Sequence, residues 1–328
     1  MPTFATITVD TEEEWDWHQG YPTRGPLSLG NIAELPRFQG ICDRYGAAVT
    51  YFVNWAVLAD PSSRGIIRDL ARQPNVEIGF HIHPWNTPPL QPVEYVAARE
   101  SFLHNLPWEL ASAKLETVWA EFLDSGLRPV SYRGGRYSTS PAIQNWLRDR
   151  GFRADCSVVP FTTWADEGAP DFRDRDMMPR RLPPRHAGDM AFWELPLSFG
   201  VNRRAMARWA KWLAVAERPP WRFLRVVGLL DRLGVARRCW LNLEHPLGDR
   251  MLSFVRYLRG TGVPALGWTM HSSSLRPGGN PYVPTPHHVE RVWQRLQQTL
   301  EEIARHPDEF VWATSARVAE QLEISACA

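Results

Sequence analysis

The protein has 328 residues, 44% of them apolar and 22% charged, with 37 basic and 36 acidic side chains. This composition excludes a disordered chain. The formal net charge of +1 excludes bulk binding of nucleic acid, which requires a clear excess of Lys and Arg. The chain also contains 16 tryptophans, a feature that a functional interpretation has to explain.

Cysteine usage and the first residues of the chain bear on its compartment. The four cysteines lie apart without a CxxC pair, which predicts buried small side chains rather than a disulfide framework. The chain begins MPTFATITVD, which lacks the basic and apolar regions of an export signal, and no run of about 18 apolar residues follows. We therefore expect a cytoplasmic protein that is at most peripheral to a membrane.

Short β-branched and aromatic runs alternate with amphipathic stretches of helix length along the whole chain. The predicted strands are 4–10, 47–54, 76–83, 129–133, 152–158, 191–199, 239–243, 265–270 and 309–313. The predicted helices are 31–45, 62–72, 93–125, 140–150, 203–216, 248–259, 286–305 and 315–322. This alternation indicates a parallel α/β sheet or barrel. Without a Ser- or Gly-rich linker, it predicts one domain over 1–328, with a proline-rich insertion at 160–190.

Polar residues at the ends of predicted strands are the candidates for chemistry, because reactive groups of α/β folds collect there. The first strand ends in an acidic run in which Asp10 and Glu12 alternate onto the same side. A solvated acidic loop is the alternative. The third strand ends in His81 and His83, whose spacing directs both imidazoles the same way and suits a divalent metal, above all with a carboxylate from another strand.

Three further strand ends carry unusual polar residues. Arg133 ends the fourth strand and precedes two glycines, a pattern that suits an oxyanion or carboxylate, with a structural salt bridge as the alternative. The fifth strand contributes Asp155. His271 ends the apolar eighth strand and is followed by three serines.

In chain order these motifs resemble those of the polysaccharide deacetylases, the NodB-homology group or carbohydrate esterase family 4. The matching segments are Thr8-Val9-Asp10, Thr50-Tyr51-Phe52-Val53, Glu77-Ile78-Gly79-Phe80-His81, the Arg133 motif, Asp155 and Met270-His271-Ser272. They span residues 4 to about 322. The resemblance implies a distorted (β/α) barrel of seven or eight strands and a divalent metal, with zinc expected, that helps to remove an N-acetyl group from a sugar.

The resemblance also implies roles for individual residues. Asp10 matches the general base, His81 the first metal ligand, Arg133 the arginine that orients the base, and His271 the general acid. Asp155 matches the acidic residue that tunes this histidine.

The chain departs from the family pattern at two metal-binding positions. Thr11 stands where the family has a second aspartate, and Glu12 is the replacement that we expect. The second histidine normally lies four residues after the first, whereas here position 85 is Trp and His83 comes two residues on. With these departures, the chain resembles a divergent, WalW-like branch of the deacetylases, which shares the His-x-His-Pro-Trp segment.

The tryptophans suit a sugar ligand, because apolar pyranose faces stack on aromatic rings. We expect Trp15, Trp85, Tyr137 and Trp164 to bind substrate, with Trp17 nearby. Other tryptophans, such as Trp119, Trp146 and Trp293, lie at helical spacing and are expected in the core.

The segment 203–238 has a formal charge of +8 against −7 for the rest of the chain. With Trp209, Trp212 and Trp221 at apolar spacing, it is predicted to be a helical insertion. A solvated helical surface is the simpler interpretation of its charge. Contact with an anionic membrane, or with a lipid-linked or phosphorylated sugar, is the alternative.

Three other functions remain open from the sequence. Glu12 and Glu194 could form the carboxylate pair of a glycoside hydrolase in a Trp-rich barrel. A sugar-binding protein without catalysis would explain the irregular metal motif. A metal-free amidohydrolase that acts on a cyclic amide is the third.

Overall fold

A computed structural model describes residues 2–25 and 27–327. Its strands are β1 (Thr3–Thr11), β2 (Tyr21–Pro22), β3 (Val49–Val53), β4 (Val76–Ile82), β5 (Tyr95–Val96), β6 (Ser131–Gly134), β7 (Ala154–Asp155), β8 (Arg180–Leu182), β9 (Phe192–Glu194), β10 (Phe199–Val201), β11 (Arg238–Trp240), β12 (Ala265–His271) and β13 (Phe310–Trp312). Its helices are α1 (Leu35–Asp43), α2 (Trp55–Ala59), α3 (Pro61–Leu70), α4 (Trp108–Asp124), α5 (Pro141–Asp149), α6 (Met206–Ala216), α7 (Val226–Arg232), α8 (Met251–Leu258), α9 (Pro286–Ala304) and α10 (Ser315–Cys327).

A curled, mostly parallel sheet organises these elements. Its strand order is β12-β1-β3-β4-β6-β7-β9-β8, and β13 pairs with the first residues of β1. The edge strand β8 runs antiparallel to β9, whereas the other neighbours in the sheet are parallel. The fold is thus a distorted α/β barrel, which confirms the fold class expected from the sequence.

Irregular segments bridge the opening between β9 and β12. The Leu197 N–H donates to the Val158 carbonyl, the Leu241 N–H to Ser198, and the Thr269 N–H to Leu241. The backbone between β9 and β10, together with the backbone after β11, therefore continues the hydrogen bonding of the barrel beyond the end of the regular sheet.

Two predicted elements differ from the structure. Residues 191–199 form two strands, β9 and β10, that join different sheets. The helix predicted over 93–125 begins only at Trp108, after Pro107. Proline lacks an N–H and restricts the residue before it to extended conformations, and Leu106 has φ −75° and ψ 150°. The upstream residues instead form β5 and two short 3-10 turns.

The core lies between the central strands and the surrounding helices. The rings of Tyr51 and Phe80 are fully buried on β3 and β4, and Phe80 stacks on Phe122 of α4. The central strands are buried on both faces and carry mainly apolar and threonine side chains, and ionisable residues such as Asp10 and His81 lie near their carboxyl ends. This arrangement collects the polar side chains at one end of the barrel.

Helices α6 and α7 fill the predicted insertion 203–238, between the paired strands β10 and β11. No helix among the described residues is both long enough and apolar enough to cross a membrane. The organisation of 1–328 as one domain stays a prediction.

Candidate metal centre and cleft

Four parallel strands bring the predicted residues to one end of the barrel. In the register of β1 and β12, Asp10 lies beside His271, and in that of β4 and β6, His81 lies beside Arg133. Glu12 follows β1, and its backbone N–H donates to Ser272 Oγ at 3.1 Å, which fixes the chain after the strand ends.

Glu12, His81 and His83 form a compact triangle of possible metal ligands. Glu12 Oε2 lies 3.4 Å from His81 Nε2 and 3.0 Å from His83 Nε2, and the two Nε2 atoms are 3.2 Å apart. All three side chains are at most 3% exposed. Ligands 2.0 to 2.1 Å from a tetrahedral zinc are separated by about 3.3 Å, so these spacings suit one small cation.

The hydrogen bonds of the two imidazoles favour metal binding through Nε2. His81 Nδ1 lies 2.7 Å from the Arg133 carbonyl oxygen, which can only accept, so the proton of a neutral His81 is on Nδ1. His83 Nδ1 donates to Glu13 Oε1 at 2.8 Å. When both imidazoles are neutral and carry their protons on Nδ1, the two Nε2 lone pairs face each other and the Glu12 carboxylate. A cation between these three groups would relieve the repulsion among them.

One atom of this cluster lacks a hydrogen-bond partner. Glu12 Oε1 is buried and receives no hydrogen bond from any described residue. A buried carboxylate oxygen without a donor is costly unless a cation or water satisfies it. The donor set and this oxygen therefore both fit a divalent metal.

Glu13 is a buried residue of the candidate site that the sequence interpretation missed. Its carboxylate accepts from Asn54 Nδ2 at 2.6 Å and from Asn86 Nδ2 at 2.5 Å, in addition to His83. Burial alone would raise the pKa of Glu13, but the adjacent His83 and the hydrogen bond from Asn54 hold this pKa below its ordinary value. Glu13 is thus a buried carboxylate that orients the candidate metal ligand His83.

Asp10 and Arg133 form a buried ion pair behind the triangle. Arg133 Nη1 donates to Asp10 Oδ1 at 2.8 Å and lies within 3.1 Å of the hydroxyls of Thr8 and Thr269. The guanidinium also lies 4.5 Å from the centre of the Phe52 ring. These contacts fix Arg133, and Arg133 in turn fixes Oδ1 of Asp10. The second carboxylate oxygen, Oδ2, lies 4.0 Å from His271 Nε2, and both residues line the cleft.

His271 is paired with Glu244. Its Nδ1 lies 2.5 Å from Glu244 Oε1, and its backbone N–H donates to Oε2 at 2.9 Å. Burial alone would lower the pKa of His271, but the negative charges of Glu244, Glu12 and Asp10 raise it to about 10. His271 therefore carries a proton at neutral pH in this environment.

The expected partner of His271 was Asp155, and the structure corrects this. Asp155 is fully buried and accepts from the Thr139 hydroxyl, from Gln144 Nε2 at 3.1 Å and from the Ser157 N–H at 3.0 Å. It therefore holds the loop before α5 and the chain after β7. Glu244 directly follows the predicted strand 239–243, so the rule that reactive groups follow strand ends could have found it.

A cleft of about 420 Å³ opens above these residues. Its wall is rich in aromatic rings, contributed by Trp15, Trp17, Tyr21, Tyr137, Trp164, Trp240 and Tyr282. Asp10, Glu12, His81, His83 and His271 also line it, which places the Glu12–His81–His83 triangle and the Asp10–His271 pair in one cavity. Of the four residues expected to bind substrate, Trp15, Tyr137 and Trp164 are in this wall.

Trp85, the fourth, lies behind the metal triangle instead of in the cleft wall. Only 1% of it is exposed, and its ring stacks on His83 with centroids 4.2 Å apart and planes at 20°. The Trp15 ring contacts both of these rings, with its centroid 5.3 Å from that of His83 and 5.2 Å from that of Trp85. The buried position of Trp85 does not fit the expected substrate contact; its ring packs on the candidate metal ligand His83 instead.

A tight turn after β6 shapes the opposite wall. A Cβ on Gly134 would lie 1.9 Å from the Ser138 carbonyl oxygen, and one on Gly135 would lie 2.4 Å from that of Ile82, so only glycine fits. Arg136 and Tyr137 then adopt φ of 53° and 60°, left-handed values that cost about 1 to 3 kcal/mol each. This strained turn places Tyr137 in the cleft, stacked on Trp164 with centroids 6.2 Å apart.

Comparisons with known proteins support the fold. The sequence matches no protein-family model and no curated protein. The structure is similar to a "putative polysaccharide deacetylase" from Mycobacterium smegmatis, with TM-score 0.57, 14% identity, and coverage of 99% of this chain and 92% of that one.

Two further structures share the architecture. A "putative glycoside hydrolase/deacetylase" from Parabacteroides distasonis gives TM-score 0.58 at 10% identity, over 97% of this chain and 70% of that chain. A GH57 branching enzyme from Thermococcus kodakaraensis gives a TM-score of 0.51 at 10% identity, with coverage of 98% of this chain and 71% of that chain. The chain therefore has a fold found in carbohydrate-active proteins, and at these identities the likeness concerns the fold alone.

Proposed function

We propose that the protein is a zinc-dependent hydrolase that removes an N-acetyl group from an amino sugar or a glycan, as the similar chains named as deacetylases suggest. The observation that carries this proposal is the triangle of Glu12, His81 and His83 beside the Asp10–His271 pair in one aromatic cleft. A two-His, one-carboxylate site with an open position is common in catalytic zinc sites.

Glu12, His81 and His83 would hold the metal. When bound, zinc would supply Lewis acidity toward an acetyl carbonyl and toward water. Asp10 would accept the proton of the attacking water, and the Arg133 guanidinium, 2.8 Å from Oδ1, holds the carboxylate in place. Backbone N–H groups of the strained turn at Gly135–Tyr137 are the proposed donors to the oxyanion.

His271 would donate the proton that the leaving amine requires. Its raised pKa keeps it protonated at neutral pH, and Glu244 holds the ring so that Nε2 faces the cleft side where Asp10 lies. The two catalytic groups thus act on opposite steps, proton removal from water and proton delivery to nitrogen.

The aromatic wall supports a sugar ligand. Tyr137 and Trp164 present a stacked pair of rings, and Trp17 contacts His271 and Tyr282 edge to face at 5.1 Å. Ring faces of this kind bind the apolar faces of pyranoses, while the acidic residues at the base of the cleft suit the reacting amide.

The proposed function is tested by acetate release from a panel of N-acetylated sugars. We expect the His271→Ala variant to retain bound zinc and to lose about 10² to 10⁴ in turnover, the usual contribution of a general acid. Full turnover in this variant would overturn the role of His271. Sugar binding without acetate release by the wild-type protein would favour the sugar-binding alternative.

The same assay separates the remaining alternatives. Activity that a chelator leaves intact would favour the metal-free amidohydrolase. The carboxylate pair considered for a glycoside hydrolase is not supported, because Glu194 lies outside the cleft and pairs with Arg175 and Gln144. New reducing ends instead of acetate would nevertheless identify a glycosidase.

A further inference from the structure

The helical insertion 203–238 has an outer face that the rest of the protein leaves uncovered. Its exposed apolar members, each between 45% and 70% exposed, are Trp212, Val215, Trp221, Phe223, Leu229 and Leu233. In α6, Trp212 and Val215 are one turn apart, and in α7 Leu229 precedes Leu233 by four residues, so each helix directs two of these side chains the same way.

The inner side of the insertion is already packed. Ala210 and Leu213 of α6 are buried against Val201 and Ala236, and Trp209 and Leu230 pack on the same cluster. The exposed residues are therefore not needed to hold α6 and α7 on the barrel. Both helices therefore carry apolar side chains on the side that faces the barrel and on the side that faces away from it. Helices of this kind typically contact a second apolar surface besides their own core.

Cations are interspersed with the exposed apolar side chains. Among the side chains of the segment that the structure describes, the exposed arginines are Arg204, Arg208, Arg218, Arg225 and Arg232, and none of these forms an ion pair with a described residue. The acidic residues of the insertion are both engaged, Glu217 with Arg238 and Asp231 with Arg250. The outer face is thus positive as well as apolar.

This combination selects among the surfaces that could cover it. A second copy of the chain would bring two positive faces together, which charge repulsion opposes. A soluble polyanion would satisfy the arginines but leave Trp212 and Leu229 in water. A bilayer with anionic lipids satisfies both, since headgroups pair with arginines while apolar side chains enter the interface and tryptophan prefers that depth.

We propose that the outer face of 203–238 docks the protein on an anionic lipid bilayer. The face lies outside the residues that line the cleft, so the proposal is independent of the proposed hydrolase activity. It requires no transmembrane segment, because Trp212, Leu229 and Leu233 would enter only the headgroup boundary.

The test is co-sedimentation of the purified full chain with vesicles of phosphatidylcholine alone, or of phosphatidylcholine and phosphatidylglycerol mixed three to one. We expect binding only to the anionic vesicles and weaker binding as salt is raised. A triple Arg208→Gln/Arg225→Gln/Arg232→Gln variant should bind about tenfold or more weakly. The matched control Arg44→Gln/Arg68→Gln/Arg317→Gln removes three exposed charges elsewhere and should bind like the wild type.

The apolar part of the proposal has its own variants. Trp212→Ser/Leu229→Ser should weaken anionic-vesicle binding, whereas Trp108→Ser/Ile324→Ser, which changes exposed apolar residues on α4 and α10, should not. Thermal unfolding of each variant checks that it folds. Wild-type protein that stays in the supernatant with anionic vesicles would overturn the proposal. So would undiminished binding by Trp212→Ser/Leu229→Ser, which would indicate a site for soluble polyanions.

Discussion

The Nδ1 atom of His271 lies 2.5 Å from Oε1 of Glu244, a residue that reaches the site from the chain after β11. Two contacts, to the ring and to the backbone N–H, fix the histidine on this carboxylate. The charge of Glu244 is the largest of the contributions that raise the pKa of His271 to about 10. Glu244 is therefore a positioning residue for the proposed general acid.

Replacing Glu244 should change the pH dependence of catalysis. A general acid loses activity as the pH rises through its pKa, so Glu244→Gln, which lowers the pKa of His271, should move the alkaline limb of the kcat profile to lower pH. Glu244→Asp keeps the charge and should retain more of the alkaline activity. A profile for Glu244→Gln that differs from wild type only in height would contradict this role.

Glu13 should control metal affinity without touching the metal. In Glu13→Gln the neutral amide no longer stabilises His83 as a donor through Nδ1, and zinc affinity should fall by about 10- to 100-fold. The matched change is Glu14→Gln at the next position, where the carboxylate contacts Ser28 and Arg276 instead of a metal ligand. Equal zinc affinities for the two variants, measured by competition with a chelating dye, would argue against the anchoring role.

Two tryptophans should respond in opposite ways to truncation. Trp85 is buried against His83, so Trp85→Ala should destabilise the fold by about 3 to 5 kcal/mol and weaken zinc binding. Trp164 is 37% exposed in the cleft wall, so Trp164→Ala should leave the unfolding midpoint nearly unchanged and raise KM. Urea unfolding and substrate titration separate the two outcomes. A Trp85→Ala variant as stable as wild type would refute the packing role.

The buried Lys114 should make stability depend on alkaline pH. Its Nζ donates to the carbonyls of Thr87 and Pro89, and burial lowers its pKa to about 8 from 10.5. Between these values the unfolded chain binds more protons, so the penalty for burying the Lys114 ammonium falls and the free energy of unfolding rises as the pH rises.

A comparison with Lys114→Met isolates this effect. The stability of the wild type relative to Lys114→Met should increase by about 1 to 2 kcal/mol between pH 7 and pH 10 in urea unfolding. A stability difference that is the same at both pH values would show that Lys114 titrates as it does in the unfolded chain.

The sequence predicted the parts of the site that follow from regular strands. Asp10, His81 and His271 end strands whose apolar runs are plain, and Glu12 keeps the alternation of β1 for one more residue. Glu13 escaped that rule because strand pairing ends at Thr11, and beyond it alternation no longer decides which way a side chain points.

Other features depend on tertiary packing that no local pattern records. Trp85 resembles a sugar-binding residue in sequence, yet the ring is buried because it stacks on His83. The pairing of His271 with Glu244 joins residues 27 positions apart through a segment that bridges irregularly to β12. Asp155 was linked to His271 by the family resemblance, but its neighbours Thr139, Gln144 and Ser157 are set by the turn after β6 and the chain after β7.

Glu12, His81 and His83 are proposed to hold one metal ion together. Elemental analysis of the purified protein after zinc loading and gel filtration tests this proposal. The same measurement is made on the Glu12→Ala, His81→Ala and His83→Ala variants, and on Glu14→Gln as the control. We predict one zinc per chain in the wild type and the control, and loss of zinc in all three alanine variants. A Glu12→Ala variant with full zinc content, or a wild type that retains none, would contradict this proposal.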